Sequence, residues 1–158
     1  MNRHEEQQHG TDSQPGYDYG PGGKVNLGNI PEELQALDRW VCWQHASRAG
    51  KLTKVPKNPK HPIRNAAVDD PSTWGTFEQA VKTYNRGRMR GIGLVLVADD
   101  DLMVFDLDHC RDTETGVVEE GAQNIIDRLN SYTEISPSGT GVHVFVRGKL
   151  PGLSLIHI

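Results

Sequence analysis

The sequence predicts an α+β protein with a mainly antiparallel sheet and flanking helices. Runs rich in β-branched and aromatic residues, at 40–44 and 102–108, are typical of strands. Apolar residues at helical spacing mark two longer stretches, 76–87 and 119–130. An aspartate-rich turn between 92–97 and 102–108 predicts that these two runs pair as an antiparallel hairpin.

Length and composition limit the class of protein. The 158 residues suffice for one domain with a buried core. A net charge of −4 does not mark a nucleic-acid binder, but basic side chains concentrate in residues 39–64, and a local basic stripe favours phosphate binding. No apolar run is as long as a membrane span, and the polar N-terminus has no apolar signal segment. We therefore expect a cytoplasmic protein without membrane contact, whose two cysteines are free thiols.

Domain limits follow from the distribution of apolar residues. Residues 1–26 contain almost no aliphatic side chain before Val25, which predicts a disordered leader. The domain itself is predicted at 27–152. Because no helix or strand is completed after this point, we expect a fragment cut short at its C-terminal side, with 153–158 as a tail foreign to the native protein.

The first half of the domain is predicted to begin with a short helix over 30–37, where Pro31 and two glutamates suit a helix N-terminus. A strand follows at 40–44. The segment 51–59 is extended but interrupted by prolines, so it is either an edge strand or a loop.

The second half alternates helices and strands. A capping-box pattern at 76–79 starts a helix that Gly87 ends. After the strands at 92–97 and 102–108, a helix is predicted over roughly 119–130. Short strands at 132–135 and 142–146 complete the domain, separated by a Ser/Pro/Gly segment that turns the chain.

Two aspartates end the predicted strand 102–108. On a strand, Asp106 and Asp108 project from the same face. Such neighbouring carboxylates repel each other unless a cation lies between them, and Mg²⁺ takes one or two carboxylates together with substrate phosphates. The pair predicts the metal end of a phosphoryl-transfer site, although an Asp-x-Asp at a strand end is also common as a solvated turn. The neighbouring His109 and Cys110 lack the two further ligands that zinc requires.

A glycine-rich segment precedes the last predicted strand. Ser138, Gly139, Thr140 and Gly141 offer successive N–H groups and two hydroxyls without bulky side chains, a nest of the kind that binds phosphate. His143 follows at the same end of the strand and has a ring N–H to donate to a phosphate oxygen. The alternative is a plain hairpin loop, with His143 as a half-buried strand residue.

Together the two motifs resemble those of the archaeo-eukaryotic primase superfamily, in which the first motif is Asp-x-Asp and the second ends in a histidine. The segment 132–143, Tyr-Thr-Glu-Ile-Ser-Pro-Ser-Gly-Thr-Gly-Val-His, is similar to primase-polymerase domains of phages, plasmids and mobile elements. Segments 40–43, 54–59 and 70–74 are similar to the same group. The resemblance covers roughly residues 29–152.

The resemblance implies an RNA-recognition-like core and metal-dependent primer synthesis. Asp106 and Asp108 would hold Mg²⁺ or Mn²⁺ and act with His143 as the catalytic residues of a two-metal nucleotidyl transfer. Residues implied to bind the nucleotide lie in the glycine-rich segment and in the basic stripe: Ser138, Gly139, Thr140, Gly141, His143, Lys54 and Lys57. The implied partners are nucleoside triphosphates, a single-stranded DNA template and a helicase region of the same parent protein.

One departure from the family pattern concerns its third acidic motif, which should follow His143. No acidic residue occurs after Glu134, so we expect that the fragment lacks the third metal ligand and is inactive alone. Two alternatives remain open. One is a non-catalytic primase-like module that binds nucleic acid in a replication protein, and the other is a different metal-dependent phosphotransferase or nuclease.

Overall fold

Two antiparallel sheets make up most of the described structure. The computed structural model describes residues 24–48, 50–98 and 100–148, without the side chain of Arg48. The predicted leader up to residue 23, the predicted tail and Asp99 of the predicted turn lie outside these residues. Within them, the α+β class with antiparallel strands and flanking helices is confirmed.

The first sheet contains strands from the N-terminal half of the chain. It consists of β1 (Trp40–Arg48), β2 (Lys51–Lys57) and β3 (Gly91–Leu94), with β1 in the middle. The proline-containing segment is thus an edge strand, and Pro56 lies opposite Trp43. An edge position suits proline, since it has no N–H to donate to a further strand.

The second sheet contains strands from the C-terminal half. It consists of β4 (Leu102–Leu107), β5 (Thr133–Ile135) and β6 (Val142–Arg147), with β6 in the middle. Val142 and Val144 of β6 are buried, as expected for the central strand of a sheet.

The predicted hairpin between 92–97 and 102–108 is wrong. β3 pairs with β1, with Gly91 opposite Trp43, while β4 pairs with β6. A Cβ at Gly91 would lie 2.6 Å from the indole nitrogen of Trp43, so glycine is what lets these two strands pair here. Both runs form strands, but the connection between them crosses from one sheet to the other.

Three α-helices accompany the described sheets: α1 (Glu32–Gln35), α2 (Phe77–Thr83) and α3 (Glu120–Leu129). Each lies within a predicted helical stretch. The capping box of α2 is confirmed, because Thr76 Oγ1 accepts from the Gln79 N–H at 3.2 Å and Gln79 Oε1 accepts from the Thr76 N–H at 3.1 Å. Gly87 ends the following turn with a φ of 78°, a left-handed conformation that favours glycine.

The main apolar cluster joins the two sheets. Trp40 packs edge-on against Phe77 with the ring centroids 5.0 Å apart. Cys42 is fully buried and donates its thiol to the Ala80 carbonyl, and burial raises the pKa of this thiol to about 12. Leu102, the first residue of β4, belongs to the same cluster, so packing against the first sheet fixes the start of the strand that carries the aspartates.

The helix α3 is more exposed than its pattern predicts. On its apolar face, Ala122, Ile126 and Leu129 are half-buried, and Ile125 is 40% exposed. Within the described ranges, no helix has the length and apolar character needed to cross a bilayer.

Candidate active site

Strand pairing in the second sheet brings three polar side chains into one row. Asp106 on β4 lies opposite His143 on β6, and His143 in turn lies opposite Glu134 on β5. Residues directly opposite each other in antiparallel strands share a face of the sheet. The row therefore runs from aspartate through histidine to glutamate across three strands, at one end of the sheet.

His143 is held between the two carboxylates. Its Nδ1 lies 3.1 Å from Glu134 Oε1, which is hydrogen-bond distance, and its Nε2 lies 3.6 Å from Asp106 Oδ1, which is slightly too long. Because an ionised carboxylate can only accept, Nδ1 carries a hydrogen in this arrangement. The side chain of His143 is 23% exposed and that of Asp106 is 37% exposed, so a ligand can reach both.

The second aspartate lies just past the strand. β4 ends at Leu107, so Asp108 is the first residue of an exposed turn rather than the last residue of the strand. Because Asp108 lies outside β4, the alternation of side chains along the strand does not place it on the same face as Asp106. His109 follows with a φ of 54°, which turns the chain away from the strand direction.

The two sequence motifs are in direct contact. A Cβ at Gly141 would lie 2.6 Å from the Leu107 carbonyl oxygen and 3.3 Å from Asp108 Cα, so the glycine-rich loop packs closely on the aspartate turn. Arg111 adds two bonds between them: its backbone N–H donates to the Thr140 carbonyl at 2.9 Å, and its guanidinium donates to the Gly139 carbonyl at 2.9 Å.

Hydroxyl groups form a chain within the glycine-rich loop. Ser136 Oγ lies 2.9 Å from Ser138 Oγ, which lies 2.9 Å from Thr140 Oγ1. The backbone N–H groups of Gly139, Thr140 and Gly141 donate to Ser136 and Ser138 within the loop. These amides are therefore engaged, unlike those of the open nest that the sequence predicts. The groups that an anion meets first are the hydroxyls of Ser138, which is exposed, and Thr140, which is half-buried.

The two lysines of the predicted nucleotide-binding set lie in the first sheet. Lys54 on β2 is exposed, and its ammonium lies 5.7 Å from the Trp43 ring centroid. Lys57 is buried and donates to Asn65 Oδ1 at 2.8 Å. Neither is joined to the aspartates or to the glycine-rich loop by a bond recorded among the described residues.

The carboxylates of Asp106 and Asp108 are the type of ligand that a hard divalent cation prefers, but two carboxylates are too few to complete its coordination. Oxygen donors are the ligands that Mg²⁺ and Mn²⁺ prefer. Among the described residues, however, no group of three or more His, Cys, Asp or Glu side chains stands at metal-binding spacing. Substrate phosphates or further protein ligands would have to complete such a site. Cys110 is occupied otherwise, since its thiol donates to the Leu107 carbonyl at 3.1 Å.

Sequence reasoning missed Glu134, Tyr132 and Arg111 as members of this site. Tyr132 OH lies 3.3 Å from Glu134 Oε2, so the polar row extends by one further residue. Pairing the predicted strands 132–135 and 142–146 in the register seen here would have placed Glu134 opposite His143. Arg111 carried no comparable signal, because its contacts depend on the fold of the loop.

A cavity of about 420 Å³ adjoins the row, between the facing edge strands β3 and β5. Trp43, His45 and Arg90 line it on the side of the first sheet, and Glu134 and Ser136 line it on the side of the second. Its volume lies within the range of about 300–1,000 Å³ that is usual for small-ligand sites. A small ligand bound in the cavity would therefore contact the same glutamate that holds His143.

Comparison with known proteins yields a relative for most of the chain. Over 121 residues, 75% of the chain, the sequence is 40% identical to a protein named DNA Primase-polymerase from Nitratiruptor phage NrS-1. The chain spans only 16% of the length of that relative. No protein-family profile matches the chain. The similarity confirms the predicted resemblance to phage primase-polymerase domains.

Proposed function

Because the chain is related to part of a phage DNA primase-polymerase, we propose that it contains part of a primase-polymerase domain that performs metal-dependent nucleotidyl transfer for primer synthesis in DNA replication. The proposal takes residues 27–152 as this domain and places it in the cytoplasm. Its substrates are nucleoside triphosphates and a single-stranded DNA template, and the parent protein is proposed to carry a helicase region as well.

The observation that carries the proposal is the packing of the two motifs against each other. Gly141 lies on the backbone of Leu107 and Asp108, so the loop with the hydroxyls suited to a phosphate packs on the turn with the Asp108 carboxylate, which is suited to a cation. A nucleoside triphosphate with its divalent cation presents both kinds of group at once. Neither motif alone distinguishes this ligand from a plain turn.

Each residue of the site then has a role in the proposal. Asp106 and Asp108 hold Mg²⁺ or Mn²⁺, which when bound supplies charge stabilisation for the attacking and leaving oxygens. Ser138 and Thr140 bind the triphosphate through their hydroxyls. His143 turns Nε2, the ring nitrogen that Glu134 leaves free, toward the triphosphate and donates from it in the imidazolium form, in which both ring nitrogens carry a hydrogen.

Three basic residues have separate places in the proposal. Arg111 already bonds the glycine-rich loop and adds positive charge beside it. Lys54 is exposed and is assigned to the template. Lys57 would have to exchange its bond to Asn65 before it contacts a nucleotide. The adjoining cavity is assigned to the nucleoside part of the substrate.

Calorimetric titration of a deoxynucleoside triphosphate into the 158-residue chain tests the proposal, with Mg²⁺, with Mn²⁺ and with neither. We expect binding that requires the metal and weakens by at least about tenfold, or about 1.4 kcal/mol, in Asp106→Asn and in Asp108→Asn. The matched control is Asp127→Asn on α3, where the exposed carboxylate accepts from Gln123 and the amide oxygen still can.

The other outcomes select the alternatives. Affinity for single-stranded DNA without metal-dependent nucleotide binding would favour a non-catalytic binding module. Cleavage of DNA that needs the metal and no nucleoside triphosphate would favour a nuclease. Nucleotide binding that both aspartate variants leave unchanged would remove these residues from the site.

A further inference from the structure

We propose that Glu134 is a positioning residue for His143, which it holds so that Nε2 faces Asp106 and the bound nucleotide. The expected effect on nucleotide binding rests on the proposed function, whereas the contacts among Glu134, His143 and Asp106 are those of the described structure. It assigns a role to a side chain that has none in the motifs read from the sequence.

The pairing of three strands determines which atoms meet. Because β6 lies between β4 and β5, His143 has Asp106 on one side and Glu134 on the other. Glu134 Oε1 lies 3.1 Å from Nδ1, and Asp106 Oδ1 lies 3.6 Å from Nε2. A hydrogen on Nδ1 is thereby fixed toward Glu134, and in the neutral ring Nε2 is then the nitrogen without a hydrogen.

Tyr132 fixes the glutamate in turn. Its hydroxyl lies 3.3 Å from Glu134 Oε2, the oxygen that does not contact the histidine. Burial, together with the charge and hydrogen bond of Glu134, raises the pKa of Tyr132, so the hydroxyl stays protonated and donates a hydrogen bond to the carboxylate. Tyr132 also packs on Phe145 with ring centroids 5.5 Å apart, which anchors the start of this hydrogen-bonded chain in the apolar cluster.

A role for Glu134 as a third metal ligand beside Asp106 and Asp108 fits less well. In the sheet, the histidine stands between Glu134 and Asp106, and both glutamate oxygens already have partners. Carboxylates that orient the ring of a metal-bound histidine typically contribute about 10- to 100-fold to metal affinity or activity. A comparable contribution is expected here through His143.

The test uses two variants of Glu134 in the full chain. Glu134→Gln keeps an oxygen that accepts from Nδ1–H, whereas Glu134→Met removes the acceptor and keeps a similar length. The tautomer of His143 is measured by long-range ¹H–¹⁵N correlation spectra without metal or nucleotide, at about pH 8.5, well above the ordinary histidine value of about 6.5. His143→Asn identifies the imidazole signal of His143. The binding of dATP in the presence of Mg²⁺ is measured separately for each variant.

We expect Nδ1–H in the wild-type chain and in Glu134→Gln, and a shift toward Nε2–H in Glu134→Met. Binding of dATP with Mg²⁺ should weaken about 10- to 100-fold in Glu134→Met and be largely restored in Glu134→Gln. Asp127→Asn on α3 is the control, since its exposed carboxylate accepts from Gln123 and lies outside both the polar row and the cavity.

Two results overturn the inference: an unchanged tautomer in Glu134→Met, or a changed tautomer with unchanged nucleotide binding. If the wild-type chain itself does not bind dATP with Mg²⁺, the proposed function of this chain fails. The spectra then still decide whether Glu134 orients the ring, so the two failures are distinguishable.

Discussion

At Gly141 the candidate site depends on the absence of a side chain. A Cβ would lie close to three atoms. The Leu107 carbonyl oxygen at 2.6 Å and Asp108 Cα at 3.3 Å belong to the backbone of the aspartate turn, and the third atom is Ser136 Oγ at 3.3 Å. Backbone atoms cannot rotate aside as the end of a flexible side chain can. Contact between the two motifs therefore requires glycine at this position.

Replacing Gly141 by alanine should separate the motifs and destabilise the fold. We expect Gly141→Ala to lower the free energy of unfolding by about 1–3 kcal/mol, as overpacking typically does, and to weaken nucleotide binding. Urea unfolding measures the first effect. Gly121→Ala in α3 is the control with opposite sign: a Cβ there meets nothing within 4 Å, and alanine favours a helix over glycine by up to about 1 kcal/mol. Equal stability of Gly141→Ala and the wild type would contradict the close contact.

Single residues of the site differed in how well the sequence predicted them. Asp106, Ser138 and His143 stand in motifs with recognisable chemistry, and the structure brings these motifs together. Glu134 was missed because its partner depends on which strands pair and in which register. A periodic pattern shows that a residue faces one side of a strand, but not what lies opposite.

At the level of elements, the existence of helices and strands was predictable, and the pairing of strands was not. The stretches predicted for α2 and α3 contain the helices, because capping and helical spacing are local signals. The hairpin of 92–97 with 102–108 was wrong, since strand pairing depends on contacts with residues distant in sequence. Gly91, which leaves room for the Trp43 side chain, permits the pairing of β3 with β1.

The capping box of α2 permits a test at this level. We expect Thr76→Ala to lower the free energy of unfolding by about 0.5–2 kcal/mol, because the Gln79 N–H loses its acceptor. Thr76→Ser keeps the hydroxyl and should retain most of the stability. Thermal and urea unfolding of both variants measure the difference, and equal losses in the two would assign the effect to the lost methyl group rather than to the cap.

At the scale of the whole molecule, the chain segment that leads from β3 of the first sheet to β4 of the second forms two ion pairs among the described residues. Asp100 pairs with Arg39, which directly precedes β1 in the first sheet, and both side chains are largely buried. Asp101 accepts from Arg147 on β6 of the second sheet at 2.7 Å. The sequence predicts these aspartates as plain turn residues, but in the structure they join the chain to both sheets. The position of β4, and with it Asp106, depends on this connection.

The buried pair at Asp100 should make stability depend on pH. Burial by itself raises the pKa of Asp100, but the hydrogen bond and charge of Arg39 outweigh it and hold the pKa below its ordinary value. Such a carboxylate contributes stability above its unfolded pKa of about 3.9, and this contribution is lost as the pH falls through the lower folded value.

We expect Asp100→Asn to cost about 1.5–3 kcal/mol near neutral pH, the usual contribution of a hydrogen bond to a charged group. The difference from the wild type should shrink as the pH falls below about 3.9, because the wild-type carboxyl then becomes neutral as well. Urea unfolding at about pH 7 and about pH 3 measures both values, with the exposed Asp127→Asn as the control. A deficit that stays constant over this range would show that Asp100 contributes through packing rather than through its charge.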